Sequence, residues 1–315
     1  MIRVTVSDTT TETSVVKSIR LRRSDGRPFA PYEAGAHVDV LGPGGITRQY
    51  SLCSPPDDTD SYLIAVKREE NSRGGSAALH DQVAAGDELV ISEPRNLFRI
   101  EPAADRHVLV GAGIGITPLL SMAHQLRRTG AWFRLHYFAT NREKAAFVPL
   151  LESAEFAADV EFHFGVDRNE QPKAVVEALA DLDAATHVYT CGPKEFMQRV
   201  TDVATRSLPE DNVHIEHFQP LEPTAEAGDE FEVELDTGEV FRVPPGRSIV
   251  EVLADGGIEV DTSCREGICG TCVLTVLDGV PDHRDNCLTR KEKAAGDQIA
   301  TCVSRASTAR LVLEL

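Results

Sequence analysis

Cys264, Cys269 and Cys272 stand in a C-x4-C-x2-C spacing, and Cys302 follows after 29 intervening residues. Thiolates are soft ligands that suit iron, and a 2Fe-2S cluster needs four of them converging on two metal ions. Three can share one loop only if its backbone turns tightly. Gly267 and Gly270 permit that, and they let amide N–H groups approach the sulfurs. Zinc is the competing use of clustered cysteines, but it more often shows paired C-x2-C knuckles. Cys287 is a second candidate for the fourth ligand.

A second set of residues has the chemistry of a flavin site. Such a site needs a cation for phosphate, an aromatic face for the ring and a small hydroxyl near the redox-active nitrogen. Arg48 and Tyr50, two apart on a strand, share one side, and Ser51 follows directly. Further on, Lys67 leads into a segment containing Gly74, Gly75 and Ser76, after which residues 77–81 read as helical. Glycines at a helix start expose N–H groups to an anion, and Ser76 is placed both to cap the helix and to bond phosphate. A capped helix without ligand is the plainer reading of that segment.

The third set is glycine-rich. Gly111, Gly113 and Gly115 lie between an apolar strand-like run and Thr117-Pro118, where a helix opens. The spacing departs from G-x-G-x-x-G, but strand, glycine turn and helix N-terminus together suit a pyrophosphate. Cys191 and Gly192 close a later strand. Ligands in parallel α/β folds gather at the carboxyl ends of strands, so the two turns are expected to face one cleft. Cys191 there either touches a nicotinamide ring or is a small core residue.

Three kinds of texture must position these sets. Residues 1–102 show short β-forming runs at 3–6, 37–41, 62–66 and 88–92 between Gly/Pro/Asp turns, the pattern of a small antiparallel barrel. Residues 103–220 alternate strand with helix, with helices expected at 118–128, 145–154, 174–179 and 194–206, which implies a parallel sheet. Residues 221–228 read as a linker, and residues 229–315 as a compact mixed module carrying the cysteine loop.

The 315 residues carry a formal charge of -18, which argues against nucleic acid and anionic membrane surfaces as partners. From residue 221 onward there are 9 Lys and Arg against 19 Asp and Glu, so the last module is an acidic surface suited to a basic protein partner. No run approaches the roughly 18–20 apolar residues of a membrane span. The N-terminus lacks a signal-like apolar core, so a cytoplasmic location is expected. Seven cysteines without a secretory signal do not suggest disulfides. The ten histidines are scattered and suggest no 2-His-1-carboxylate set, so no oxygen activation by the chain itself is expected.

The three sets in this order resemble the phthalate dioxygenase reductase family, over essentially the whole chain. The resemblance implies a flavin-binding β-barrel, an NAD-binding α/β domain and a plant-type ferredoxin domain. It further implies FMN, NADH and a 2Fe-2S cluster, with electrons delivered singly to a terminal oxygenase of the Rieske type. By that likeness Arg48 and Ser76 hold the flavin phosphate, Tyr50 and Ser51 the ring, and Gly113, Thr117 and Cys191 line the nicotinamide cleft. Phe218 would cover the other flavin face. Residues 282–289 look like the acidic turn of a ferredoxin and residues 298–304 like its last ligand strand, which favours Cys302 over Cys287. Arg142 leaves NADPH open, because its charge could meet a 2′-phosphate. Two alternatives stand beside this reading: a redox-sensing protein without turnover, and a reductase of a haem-thiolate monooxygenase.

Overall fold

β-Branched residues alternating with polar ones build strand β1 (Ile2–Thr11), and Ile2, Val4 and Val6 turn inward from it. The computed structural model describes residues 1–70, 74–220 and 228–315. Two units emerge, Met1–Glu216 and His217–Leu315. In the first, β2 (Val16–Arg23), β3 (His37–Leu41), β4 (Thr47–Ser51), β5 (Tyr62–Lys67) and β6 (Glu88–Ile91) join β1 in an antiparallel sheet ordered β4-β3-β6-β1-β2-β5. An antiparallel bridge between Leu52 and Ile64 links its two edges, which closes the sheet on itself. Helix α1 (Gly75–Gln82) packs Leu79 into the barrel core.

The rest of the unit runs through β7 (Arg106–Ala112), α2 (Ile116–Thr129), β8 (Trp132–Ala139), α3 (Val148–Leu151), β9 (Val160–Phe164), α4 (Gln171–Ala178), β10 (Thr186–Cys191), α5 (Lys194–Ala204) and β11 (Val213–Glu216). The strands are parallel in the order β11-β10-β7-β8-β9. Leu109, Leu135 and Tyr137 pack with α2 on one face, while Val108, Val110 and Phe138 pack with α4 and α5 on the other. Burial on both faces explains the continuous apolar run of β7. The helix expected at 145–154 is shorter. Phe147 adopts a left-handed conformation (φ 62°), and the Ala146 amide donates to the Tyr137 hydroxyl at 3.1 Å, so regular turns begin only at Val148.

The second unit contains β12 (Phe231–Leu235), β13 (Val240–Val243), α6 (Ile249–Asp255), β14 (Val273–Asp278), β15 (Pro281–Asp282), α7 (Arg290–Ala295), β16 (Gln298–Ala300), β17 (Arg305–Ala306) and β18 (Arg310–Glu314). Its main sheet runs β13-β12-β18-β14-β16 and buries Phe231, Val233, Leu311 and Leu313 against Ile249 and Leu253 of α6. A reciprocal cap starts α6: the Ser248 hydroxyl accepts from the Glu251 amide, and the Glu251 carboxylate accepts from the Ser248 amide. The strand expected over 298–304 stops at Ala300, and Cys302 lies in the turn beyond it. The linker assigned to 221–228 falls, apart from Gly228, outside the described residues. Among the described residues no helix is long and apolar enough to cross a membrane.

Candidate functional site

The barrel brings the two halves of the flavin motif together. Strand β4 pairs with β3 so that Arg48 faces Val40 and Tyr50 faces Val38, which sets both side chains on one side of the strand. Gly75 packs against the Arg48 stem; a Cβ there would come within 3.2 Å of the Arg48 side chain. The first turn of α1 therefore lies beside the guanidinium, as a phosphate cradle requires. Arg48 donates to the Thr47 carbonyl at 2.7 Å and has no carboxylate partner among the described residues. Gly74, at φ 93°, precedes α1 in a left-handed conformation only glycine adopts freely.

Ser76 does not cap the helix as the sequence suggested. The helix begins two residues earlier, at Gly75, and the buried Ser76 hydroxyl accepts from the Glu69 amide at 3.1 Å, leaving its proton for another acceptor. Lys67 is paired away from the cradle, with its ammonium 2.7 Å from the Glu69 carboxylate. Tyr50 is half-buried against the barrel core, and burial pushes its phenol up to about 12.

The glycine turn after β7 and the turn after β10 meet. Gly111 and Cys191 face each other in parallel register at the carboxyl ends of adjacent strands. The helix after β7 lies on one face of the sheet and the helix after β10 on the other, so the crevice of a doubly wound sheet opens here. A Cβ on Gly115 would overlap the Cys191 carbonyl, and one on Gly192 would lie 3.0 Å from the Ala112 Cβ. Gly113 takes φ 58°, and Thr117 donates to the Ile114 carbonyl at 3.0 Å in the first turn of α2. No side chain caps this helix start among the described residues, so its N–H groups and positive dipole end point toward the crevice.

One residue of this crevice was not singled out from sequence. Glu216 ends β11 in register with Cys191, and the Ser51 hydroxyl donates to its Oε2 at 3.4 Å. Partial burial pushes the Glu216 carboxyl up to about 8, which favours its protonated form near neutral pH. Burial, and the carboxyl beside it, push the fully buried Cys191 thiol well up, which keeps it un-ionised and non-nucleophilic. Ser51, Glu216 and Cys191 thus come from three separate segments. The remaining crevice candidate, Arg142, spends its guanidinium on Glu152 in a two-pronged pair at 2.6 and 2.5 Å. Phe218 lies in the second unit and is 39 % exposed.

In the second unit the cysteine loop converges. The Cys264 amide lies 3.5 Å from the Cys269 sulfur, the Glu266 amide 3.3 Å from the Cys264 sulfur, and the Thr271 hydroxyl 3.2 Å from the Cys269 sulfur. Cys264 and Cys269, and likewise Cys272 and Cys302, sit close enough to influence each other's ionisation, with one thiol of each pair pushed down (Cys269, Cys272) and its partner up. Gly267 and Gly270 both take φ 70°, and a Cβ on Gly267 would lie 2.6 Å from Val303 beside Cys302. Arg265 adopts φ 55°, an uncommon conformation for a side-chain-bearing residue, which the loop imposes. Cys287 is buried near this group but turns its thiol to the Asp285 carboxylate at 3.5 Å. Two thiol pairs on one loop and the turn beyond β16, with amide donors aimed at sulfur, fit the two-iron arrangement of an iron–sulfur cluster.

Residues 233–307 match the 2Fe-2S iron-sulfur cluster binding domain family. Across its full length the chain is 44% identical to all of the vanillate O-demethylase oxidoreductase of Pseudomonas sp. (strain HR199 / DSM 7063). The solved structure of phthalate dioxygenase reductase, described as modular for electron transfer from pyridine nucleotides to 2Fe-2S, is 40% identical with a TM-score of 0.72, covering 99% of this chain and 97% of that one. An intact type IV self-sufficient cytochrome P450 monooxygenase also contains this arrangement, with 37% identity and a TM-score of 0.89 over 100% of this chain and 41% of the other.

A closed antiparallel barrel, a doubly wound nucleotide sheet and a ferredoxin module with converged thiols define a flavin- and iron–sulfur-dependent oxidoreductase. The chain belongs to the phthalate dioxygenase reductase family, which includes the vanillate O-demethylase oxidoreductases.

Proposed function

We propose that this chain carries electrons from NADH, through FMN and a 2Fe-2S cluster, to a separate terminal oxygenase of the Rieske type. The meeting of Ser51, Glu216 and Cys191 carries the reading, because it joins the barrel's flavin motif to the mouth of the nucleotide crevice. Bound FMN and the cluster supply the conversion of a two-electron donor into one-electron steps.

The residues do the positioning. Arg48 and the α1 start at Gly74, Gly75 and Ser76 hold the phosphate, and Tyr50 and Ser51 bound the ring. Gly111, Gly113, Gly115 and Gly192 let backbone approach the dinucleotide, while Thr117 and Cys191 shape the nicotinamide pocket. Glu216 holds a proton at its Oε atoms within reach of the Ser51 hydroxyl. Phe218 is assigned to the opposite flavin face on family likeness. Lys67, already paired with Glu69, contributes least. Arg142 pairs with the Glu152 carboxylate rather than standing open to a 2′-phosphate, which supports NADH over NADPH.

Cys264, Cys269, Cys272 and Cys302 are the cluster ligands in this reading, and the commitment of Cys287 to Asp285 supports that choice. The excess of Asp and Glu in the last 95 residues supports docking on a basic partner face. A haem-thiolate acceptor is the second reading, favoured by the likeness to the self-sufficient P450. Cofactor analysis of the purified protein tests the core assignment. One FMN with two iron and two labile sulfide per chain is expected; FAD in the extract, or no flavin, would overturn it. Electron delivery from NADH to a purified Rieske oxygenase but not to a haem-thiolate enzyme separates the two acceptors.

A further inference from the structure

The scattered histidines are less scattered in space, which corrects the expectation that the chain has no 2-His-1-carboxylate set. Parallel pairing of β8 with β9 sets His136 opposite Glu161 and Phe138 opposite His163. The His163 ring stacks on Phe138 at 4.1 Å with 9° between the planes, which fixes its edge toward His136. His136 Nδ1 and His163 Nε2 lie 3.1 Å apart. The Glu161 carboxylate is 3.8 Å from the first nitrogen and 3.7 Å from the second. All three ligand atoms fall within 4.8 Å of one another.

Imidazole nitrogens offer lone pairs to a metal. An ion about 2.0–2.1 Å from both nitrogens, the zinc–histidine distance, would see them at about 100°, close to a tetrahedral angle. Glu161 is 58% exposed at its side chain, so it is free to swing in and complete a three-ligand face, with water in the remaining position. Imidazole and carboxylate donors suit a borderline divalent ion.

We propose that His136, Glu161 and His163 form a site for a divalent transition-metal ion of the zinc class, distinct from the cysteine centre. The site cross-links β9, the edge strand of the nucleotide sheet, to its neighbour β8. Metal binding to the folded chain alone would raise its stability by mass action. An internal control exists: His187 Nδ1 and His214 Nε2 lie 2.9 Å apart on β10 and β11, but that pair belongs to no three-ligand group among the described residues.

The test uses the holoenzyme, dialysed against chelator and then equilibrated with buffered Zn2+, with zinc and iron counted together by mass spectrometry. One zinc per chain is expected without loss of iron, together with a rise in melting temperature. E161Q, on the exposed side of the site, and H163Q are each expected to weaken zinc binding at least about tenfold and to abolish the thermal shift, whereas H187Q leaves both intact. No zinc on the wild-type chain would overturn the proposal. So would zinc retained equally by E161Q and H163Q, zinc lost in H187Q, or zinc gained only as iron is lost, which would place it on the thiols.

Discussion

Ser51 and Glu216, 165 residues apart in sequence, meet at 3.4 Å through the serine hydroxyl and the glutamate Oε2. The contact joins the end of a barrel strand to the end of a parallel strand, and Cys191 lies across the register from the same glutamate. A carboxyl raised in this way favours its protonated form, which would present a neutral donor rather than a negative charge to an incoming dinucleotide.

That protonation has a measurable sign. The Glu216 carboxyl is raised from its ordinary 4.5 to about 8, so folding favours the protonated form. Its stabilising contribution is full below the ordinary value and is lost as pH rises through the folded one. Urea midpoints should therefore fall between those pH values in wild type and much less in E216Q. The rate of flavin reduction by NADH should show an inflection near the same upper value, absent in E216Q.

At Gly115 the obstacle to a side chain is the backbone carbonyl of Cys191, which cannot move aside as a flexible side chain could. G115A should lower stability by about 1–3 kcal/mol, the usual cost of overpacking. NADH affinity should fall with it while FMN content stays at one per chain. Thermal melts and NADH titrations read the two effects separately; a variant as stable and as tight as wild type would contradict the close approach of the two turns.

Arg48 offers its charge to phosphate without a competing carboxylate among the described residues. A hydrogen bond to a charged group contributes about 1.5–3 kcal/mol, so R48A should weaken FMN binding roughly 10–150-fold. Flavin retained after gel filtration measures this, and iron content should be unchanged.

The fourth thiol is decided by a pair of variants. C302S should lose the assembled cluster, read as iron and labile sulfide, yet keep flavin reduction by NADH. C287S should keep the cluster, because its thiol faces Asp285. The reverse pattern would exchange the two assignments.

Local chemistry was legible in the sequence where one segment carried all of it. The cysteine loop and the glycine turn are contiguous, and their glycines take left-handed or closely packed backbone positions, as at Gly267, Gly270, Gly113 and Gly115. Features made by pairing between distant strands were not. Glu216 gains its meaning only from parallel register with Cys191, and His136, Glu161 and His163 only from the register of β8 with β9. Ser76 carried a capping signal, but Gly74 in a left-handed conformation let the helix begin earlier. Strand β2 went unread because Lys17, Arg20, Arg22 and Arg23 interrupt its apolar residues, though Val16, Ile19 and Leu21 are buried.

Anaerobic absorption spectroscopy on adding one equivalent of NADH tests the electron relay most directly. Flavin and iron–sulfur bands should both bleach within one mixing experiment, with flavin bleaching retained and cluster bleaching lost in C302S. A flavin that NADH leaves oxidised, or a cluster that stays oxidised beside a reduced flavin in the wild-type protein, would contradict the relay.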